Sequence, residues 1–178
     1  MRYIIVLLSI IYLSGYQPTN SFHYTNTYNP ESLDVISLGP PNYQLYDYMK
    51  IYSKKYNIPF DYALRCAKEE TGYEGKFHFT YRPFEDRLRV SPSFAYGPLQ
   101  VKLPTANDMW GGRTITAAEL SYDIKLNVIT SFRYKRYLYN IFKDWLKVYS
   151  IYNKGWHGKN DINSYAVNIV TGNSEIIF

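Results

Sequence analysis

Apolar positions recur at helical spacing in several stretches of the chain. From Tyr43 to Tyr56 the positions Leu45, Tyr48, Met49, Tyr52 and Tyr56 predict a first helix, which Asn57 and Ile58 turn into a second. That second stretch, Pro59 to Tyr73, reads P-F-D-Y-A-L-R-C-A-K-E-E-T-G-Y. Pro59 suits a first helical position, Asp61 is a favourable anion in the first turn, and Gly72 is a C-terminal stop, so the helix is about three turns long. At roughly 100° per residue, Phe60, Ala63, Leu64, Ala67 and Thr71 fall within about 60° of one line, which predicts the buried face. Glu70 lies about 60° from the line through Ala67 and Glu69 about 200° from it, so one acid points toward the protein and its neighbour toward water.

The later segments follow the same logic. Phe77, Phe79 and Tyr81 alternate with His78, Thr80 and Arg82; after Pro83, Leu88 and Val90 alternate with Arg87 and Arg89, which predicts a short β-hairpin or a strand with a long turn. Ser91 to Ala106 (S-P-S-F-A-Y-G-P-L-Q-V-K-L-P-T-A) reads as a loop with a turn at Gly97-Pro98, entering a helical piece at Thr105 and Ala106. Gly111-Gly112 breaks the chain, and Thr116 to Glu119 has the form of a capping box. Ile124, Val128, Phe132 and Tyr139 then lie within about 40° of the line through Val128, with Arg133 and Arg136 directed away from it. Asp144 to Tyr152 predicts another helix ending in Tyr152 to Gly155, Trp156 to Gly158 a turn, and Asp161 the cap of a last helix carrying Tyr165, Val167 and Ile169.

The N-terminus is different in texture. Residues 1–15, with Arg2 followed by the apolar run Tyr3 to Leu13, resemble a secretory signal peptide too short to span a bilayer comfortably, or an uncleaved N-terminal anchor giving membrane association. Residues 16–42, rich in Asn, Thr, Ser and Tyr, read as a polar tether, leaving 43–178 as a single folded domain. The protein is therefore expected to be exported, to the periplasm or cell envelope.

Composition adds three constraints. Of 178 residues, 21 are Tyr, and aromatics make up 19%; Tyr serves equally as a packing residue and as a lining for sugar-binding grooves. A net charge of +5 suits an anionic environment or partner without choosing one. The single cysteine, Cys66, excludes an intramolecular disulfide and a CxxC metal site and reads as a small core filler; with only three His, no metal and no cofactor are expected. The basic and aromatic cluster from Phe132 to Tyr139 could suggest nucleic-acid binding, but the core face accounts for part of its aromatics, and no nucleic-acid partner is expected.

Glu70 is the candidate for chemistry. A carboxyl at the inner edge of a helix's last turn is costly to ionise, which raises its pKa as a general acid requires; a capped, partly buried Glu at an ordinary helix end reads the same way locally.

Three motifs bear on that choice. A-K-E-E-T-G-Y resembles the E-S-G-F helix end of the lytic transglycosylase family, the soluble type with a goose-lysozyme-like fold. The Ser91 to Ala106 segment resembles that family's S-P-x-G-A-x-G-L-M-Q-x-x-P-x-T-A loop, and S-I-Y-N-K-G its A-Y-N-x-G turn. Asn127 and Tyr165 are two weaker echoes, and the resemblance runs from about Leu45 to Ile169. It implies a mainly α, α+β lysozyme-like domain in which a small β-hairpin forms part of a substrate cleft. It puts the catalytic acid on Glu70, with Thr71 in the place of Ser. It further implies that Gln100 contacts the substrate's N-acetyl group, that Tyr152 and Asn153 orient the acid and polarise that group, that Gly97 to Leu99 wall the cleft, and that Tyr165 belongs to the site. Phe94 departs from the family's Gly, Pro98 from Leu, Leu99 from Met and Ile151 from Ala; Pro104 is displaced by one position.

Most glycosidases need two carboxyls. Here one acid has a motif behind it, while Glu85, Asp86, Asp108 and Asp123 have none. The resemblance implies non-hydrolytic cleavage of peptidoglycan glycan strands by a monomer, bacterial or phage-encoded, giving a 1,6-anhydro sugar. A goose-type lysozyme using Glu85 or Asp86 as second acid is one alternative. A glycan-binding protein of the same fold without catalysis is the other.

Overall fold

The computed structural model of the chain describes residues 39–84 and 93–172. Residues 1–15, the tether up to residue 38, and Glu85, Asp86, Leu88 and Val90 lie outside these described residues. Among them are seven α-helices: α1 (Pro41–Tyr56), α2 (Phe60–Thr71), α3 (Leu103–Met109), α4 (Ala117–Tyr122), α5 (Ile124–Phe142), α6 (Trp145–Lys154) and α7 (Ser164–Thr171). A 3-10 turn, Gly155–Lys159, follows α6, and two short strands, β1 (Ala95–Tyr96) and β2 (Val101–Lys102), form an antiparallel ribbon. The class is thus mainly α with a small two-stranded sheet, as expected.

Helix α5 is the axis of the packing: α1, α3, α4, α6 and β2 all lie against it. Its buried positions include Ile124, Val128 and Phe132, which join Leu45, Met49 and Tyr52 of α1 and Leu64 of α2 in the main core. Burying such side chains contributes roughly 1.5–3 kcal/mol each. A second apolar cluster, formed by Cys66, Tyr149, Ala166 and Ile169, joins α2 to α6 and α7. The capping box of α4 is complete, Thr116 and Glu119 each accepting the other's backbone N–H.

Several expectations need correction. Helix α1 begins at Pro41, so Pro41 and Asn42 belong to the folded body rather than the tether; Asn42 is buried and its carbonyl accepts from the Tyr73 hydroxyl at 2.9 Å. Pro59 is the N-cap of α2, extended at ψ 127°, and the first helical residue is Phe60. The described part of the predicted hairpin, up to Phe84, is a run of turns in which His78 N–H donates to Gly75 O and Tyr81 N–H to His78 O. Phe77 and Phe79 do share one side, as alternation requires, but what they meet is the Tyr43 ring of α1, with centroids 6.0 Å away in both cases, and not a partner strand. The ribbon lies instead at 95–102, in the segment read as a loop. Asn163, not Asp161, caps α7 by accepting Ala166 N–H at 3.0 Å, while Asp161 pairs with Lys154 at 2.6 Å. Arg133 leaves the Val128 line as expected, and its guanidinium lies 4.0 Å above the Trp110 ring and donates to Met109 O at 3.0 Å.

The ribbon is registered Ala95 to Lys102 and Tyr96 to Val101, with Gly97 to Gln100 as its turn. Gly97 has φ +70°, and a Cβ there would stand 2.2 Å from Leu120 O and 2.5 Å from Asn127 Nδ2. Both the backbone conformation and the space demand glycine. Gly97→Ala is accordingly expected to lower stability by about 2–4 kcal/mol, through strain and overpacking together, as read from urea denaturation. A midpoint equal to that of the unmodified protein would show that the turn yields freely.

Candidate active site

Glu70 sits in the last turn of α2 because the helix's inner line, from Phe60 to Thr71, faces the core and the acid lies on its edge. Glu69 is exposed and Glu70 largely covered, as the periodicity predicts. The helix ends in a left-handed Gly72 (φ 69°), where Gly72 N–H donates to Lys68 O at 2.8 Å and Tyr73 N–H to Ala67 O at 3.4 Å. That turn sends the chain inward through buried Tyr73 and fixes where the carboxyl emerges.

Tyr165, on α7, donates its hydroxyl to Glu70 Oε1 at 2.5 Å. The two residues are 95 positions apart in sequence and meet because α2 and α7 pack together. Burial pushes the Glu70 carboxyl above its ordinary value of 4.5; the Tyr165 hydrogen bond and the charge of Lys135 pull it back down, and Glu69 adds to the rise. The expected direction therefore has its expected cause.

From Tyr165 a continuous line of polar contacts crosses the interior. The Tyr165 oxygen lies 3.3 Å from Cys66 Sγ; Lys135 Nζ donates to that sulfur at 3.2 Å and to Ser131 Oγ at 2.6 Å. Ser131 Oγ lies 3.0 Å from the Tyr152 hydroxyl, which donates to Leu99 O at 2.5 Å. Leu99 N–H, in turn, donates to Asn127 Oδ1 at 2.9 Å. Glu70, Leu99 and Tyr152, from the three separate motifs, and Tyr165 and Asn127, the two weaker echoes, are linked by this one network.

Lys135 and Ser131 were missed in the sequence, and a signal for Lys135 existed. It stands seven positions after Val128, about 20° from the same line, so a lysine in register with the core face marks a buried cation. Lys135 is fully buried, and its Nζ sits 3.9 Å from the Tyr152 ring centroid. Cys66 is buried as well, and burial raises its thiol pKa; it fills the core as expected, but within this polar line.

The other matched residues are placed differently. Thr71 is buried, its hydroxyl 2.8 Å from that of Tyr81 and 3.0 Å from Pro98 O, so it ties the end of α2 to the ribbon turn. Gly97 and Leu99 take part through backbone and close fit, with Leu99 fully buried. Gln100, at φ 49°, donates its side-chain amide to Gly97 O at 2.9 Å. With Lys102, Thr105, Ser131, Tyr134 and Tyr152 it lines a small recess open to solvent. Glu70 is not part of that lining; Ser131 and Tyr152 are common to the recess and the polar line, and burial, with Glu70's charge adding to it, raises the Tyr152 phenol pKa. Asn153 is exposed, and its Oδ1 accepts from Asn163 Nδ2 at 2.9 Å, which steadies the residue that caps α7 and so supports Tyr165. Asp123 caps α5 through Leu126 N–H at 2.8 Å, and Asp108 is exposed on α3.

Among the described residues no group of three or more His, Cys, Asp or Glu could hold a metal ion, and no helix is long and apolar enough to cross a membrane. No protein-family model matches the chain, and no curated protein matches it.

The raised Glu70 carboxyl fixes a pH signature. A group whose folded pKa is raised favours the fold while protonated; its contribution is full below the ordinary value of 4.5 and is lost as pH rises through the folded value. Glu70→Gln keeps an acceptor for Tyr165 and cannot ionise. Its melting temperature is expected to equal or exceed that of the unmodified protein, with a gap that opens by a few degrees as pH rises from about 4 to about 8. Thermal melts across that range check it; a gap that closes with rising pH would contradict the burial argument.

Proposed function

We propose that the chain is a peptidoglycan lytic transglycosylase of lysozyme-like fold, exported to the cell envelope, with Glu70 as its acid and then its base. The observation that carries this reading is the Glu70–Tyr165 contact: a largely buried carboxyl with a raised pKa, held by a tyrosine from the far end of the domain, at the two positions that the family resemblance matches independently. A further point of support comes from a departure. Phe94 replaces the family's Gly, and it adopts φ 54°, the left-handed region that glycine favours, so the backbone conformation is kept where the residue type is not.

The chemistry follows from a single well-placed carboxyl. Tyr165 occupies Oε1 as donor, which leaves Oε2 to carry the acidic proton. Glu70 gives that proton to the glycosidic oxygen between N-acetylmuramic acid and N-acetylglucosamine as the C1–O bond breaks, and the substrate's own N-acetyl oxygen bonds to C1. The resulting carboxylate takes the proton from O6 of the same sugar. O6 then attacks C1, displaces the N-acetyl oxygen and closes the 1,6-anhydro ring without consuming water. Gln100 and Asn153 are the candidates for holding the N-acetyl group, and Tyr152 positions the wall of the recess through Leu99.

Two outcomes test this. Purified protein acting on peptidoglycan is expected to release muropeptides lighter by one water than hydrolytic products, as read by mass spectrometry. Glu70→Gln is expected to lose at least about 10²-fold in rate while retaining its fold, the scale of a positioned general acid. Products of hydrolytic mass would favour the goose-type lysozyme, and binding without release a non-catalytic glycan-binding protein.

A further inference from the structure

The hydrogen-bond directions along the buried polar line are fixed by what each group can donate. Lysine has donors and no acceptor, so Lys135 gives to both Cys66 Sγ and Ser131 Oγ. Tyr165 spends its one proton on Glu70 and so accepts from the Cys66 thiol; Tyr152 spends its proton on Leu99 O and so accepts from Ser131. Two donor chains therefore leave the same amine in opposite directions, one ending on the Glu70 carboxyl and the other on the carbonyl of the ribbon turn. We propose that Lys135 is a positioning residue which, through Cys66 and Tyr165, sets the proton affinity of Glu70 and couples it to the position of the ribbon.

The groups facing this line come from four helices. Helix α2 supplies Glu69, Glu70 and Cys66, α5 supplies Lys135, α6 supplies Tyr149 and Tyr152, and α7 supplies Tyr165. Asp61, Tyr62 and Arg65 bear on Tyr149 behind them. Lys135 is the cation acting on Glu70, and it opposes both the burial of the carboxyl and the repulsion from Glu69. On the branch that runs through Cys66 and Tyr165 each donor is aimed toward the acid, so a Glu70 that has given up its proton is stabilised, while burial keeps the thiol protonated against the pull of Lys135.

The inference rests on Glu70 as the proton donor of the proposed function, but its first readout needs no substrate. The Glu70 carboxyl is titrated by carbon-13 NMR in the unmodified protein, in Lys135→Gln, which keeps polarity and loses charge, and in Lys135→Met, which fills the site with an apolar chain of similar length. In both variants the Glu70 midpoint is expected to move to higher pH, and the alkaline limb of glycan cleavage to move with it while KM stays constant. A midpoint unmoved in either folded variant overturns the proposal. Should the midpoint move while the unmodified protein cleaves no glycan, the lysine's role stands and the transglycosylase reading falls.

Discussion

One buried amide, that of Asn127, holds the ribbon against the helical body. Its Oδ1 accepts from Leu99 N–H at 2.9 Å, and its Nδ2 donates to Tyr96 O at 2.8 Å and Leu120 O at 3.0 Å. A side-chain amide has two donor protons and one acceptor oxygen, so both of its ends are committed to backbone of other elements. Each backbone group left unpaired in the interior would cost about 1–3 kcal/mol, which makes this contact worth more than its three bonds suggest. Because the amide also fills the space over Gly97, the turn's conformation and its distance from α5 are set by the same atoms. Everything the ribbon contributes to the site, from the Leu99 carbonyl to Gln100, inherits that placement.

The acid is held in a balance of opposing effects. Burial alone would keep Glu70 protonated, and a general acid that cannot release its proton is of no use. The Tyr165 hydroxyl and the Lys135 charge work against burial, and the net direction is still upward. On the proposed reading, in which the carboxyl first donates and then accepts a proton, such a compromise serves both steps, since neither form can be strongly disfavoured. The surrounding phenols do not compete as acids, because burial raises Tyr152 and Tyr165 well above their ordinary range.

Much of this was legible along the chain where a local rule decides the outcome. The inward turn of Glu70 follows from the helical repeat, the Thr116 cap from a four-residue signature, and the Gly97 turn from glycine beside proline. What the chain concealed was decided by distant partners. Phe77 and Phe79 keep their alternation, yet they meet the ring of Tyr43 rather than a sheet and stay largely exposed. Asp161 is a sound cap by type, but Lys154 claims it and Asn163 takes the position. In the cluster from Phe132 to Tyr139 the core face accounts for part of the charge as well as of the aromatics: Lys135 is inside, and Arg133 covers Trp110. The size of Cys66 predicts its burial but not its polar neighbours Lys135 and Tyr165.

Asn127, Ser131 and Lys135 are four residues apart on α5, and each faces a different part of the interior polar arrangement. Four residues exceed one helical turn only slightly, so the three form a slowly winding spine along an otherwise apolar face. If α5 slid by a single residue, a 1.5 Å step along its axis accompanied by about 100° of rotation, all three polar groups would turn away from their partners together and leave those partners stranded in a dry interior. An oily helix could tolerate several such settings at similar free energy. This one reads its own register, and only one setting satisfies it.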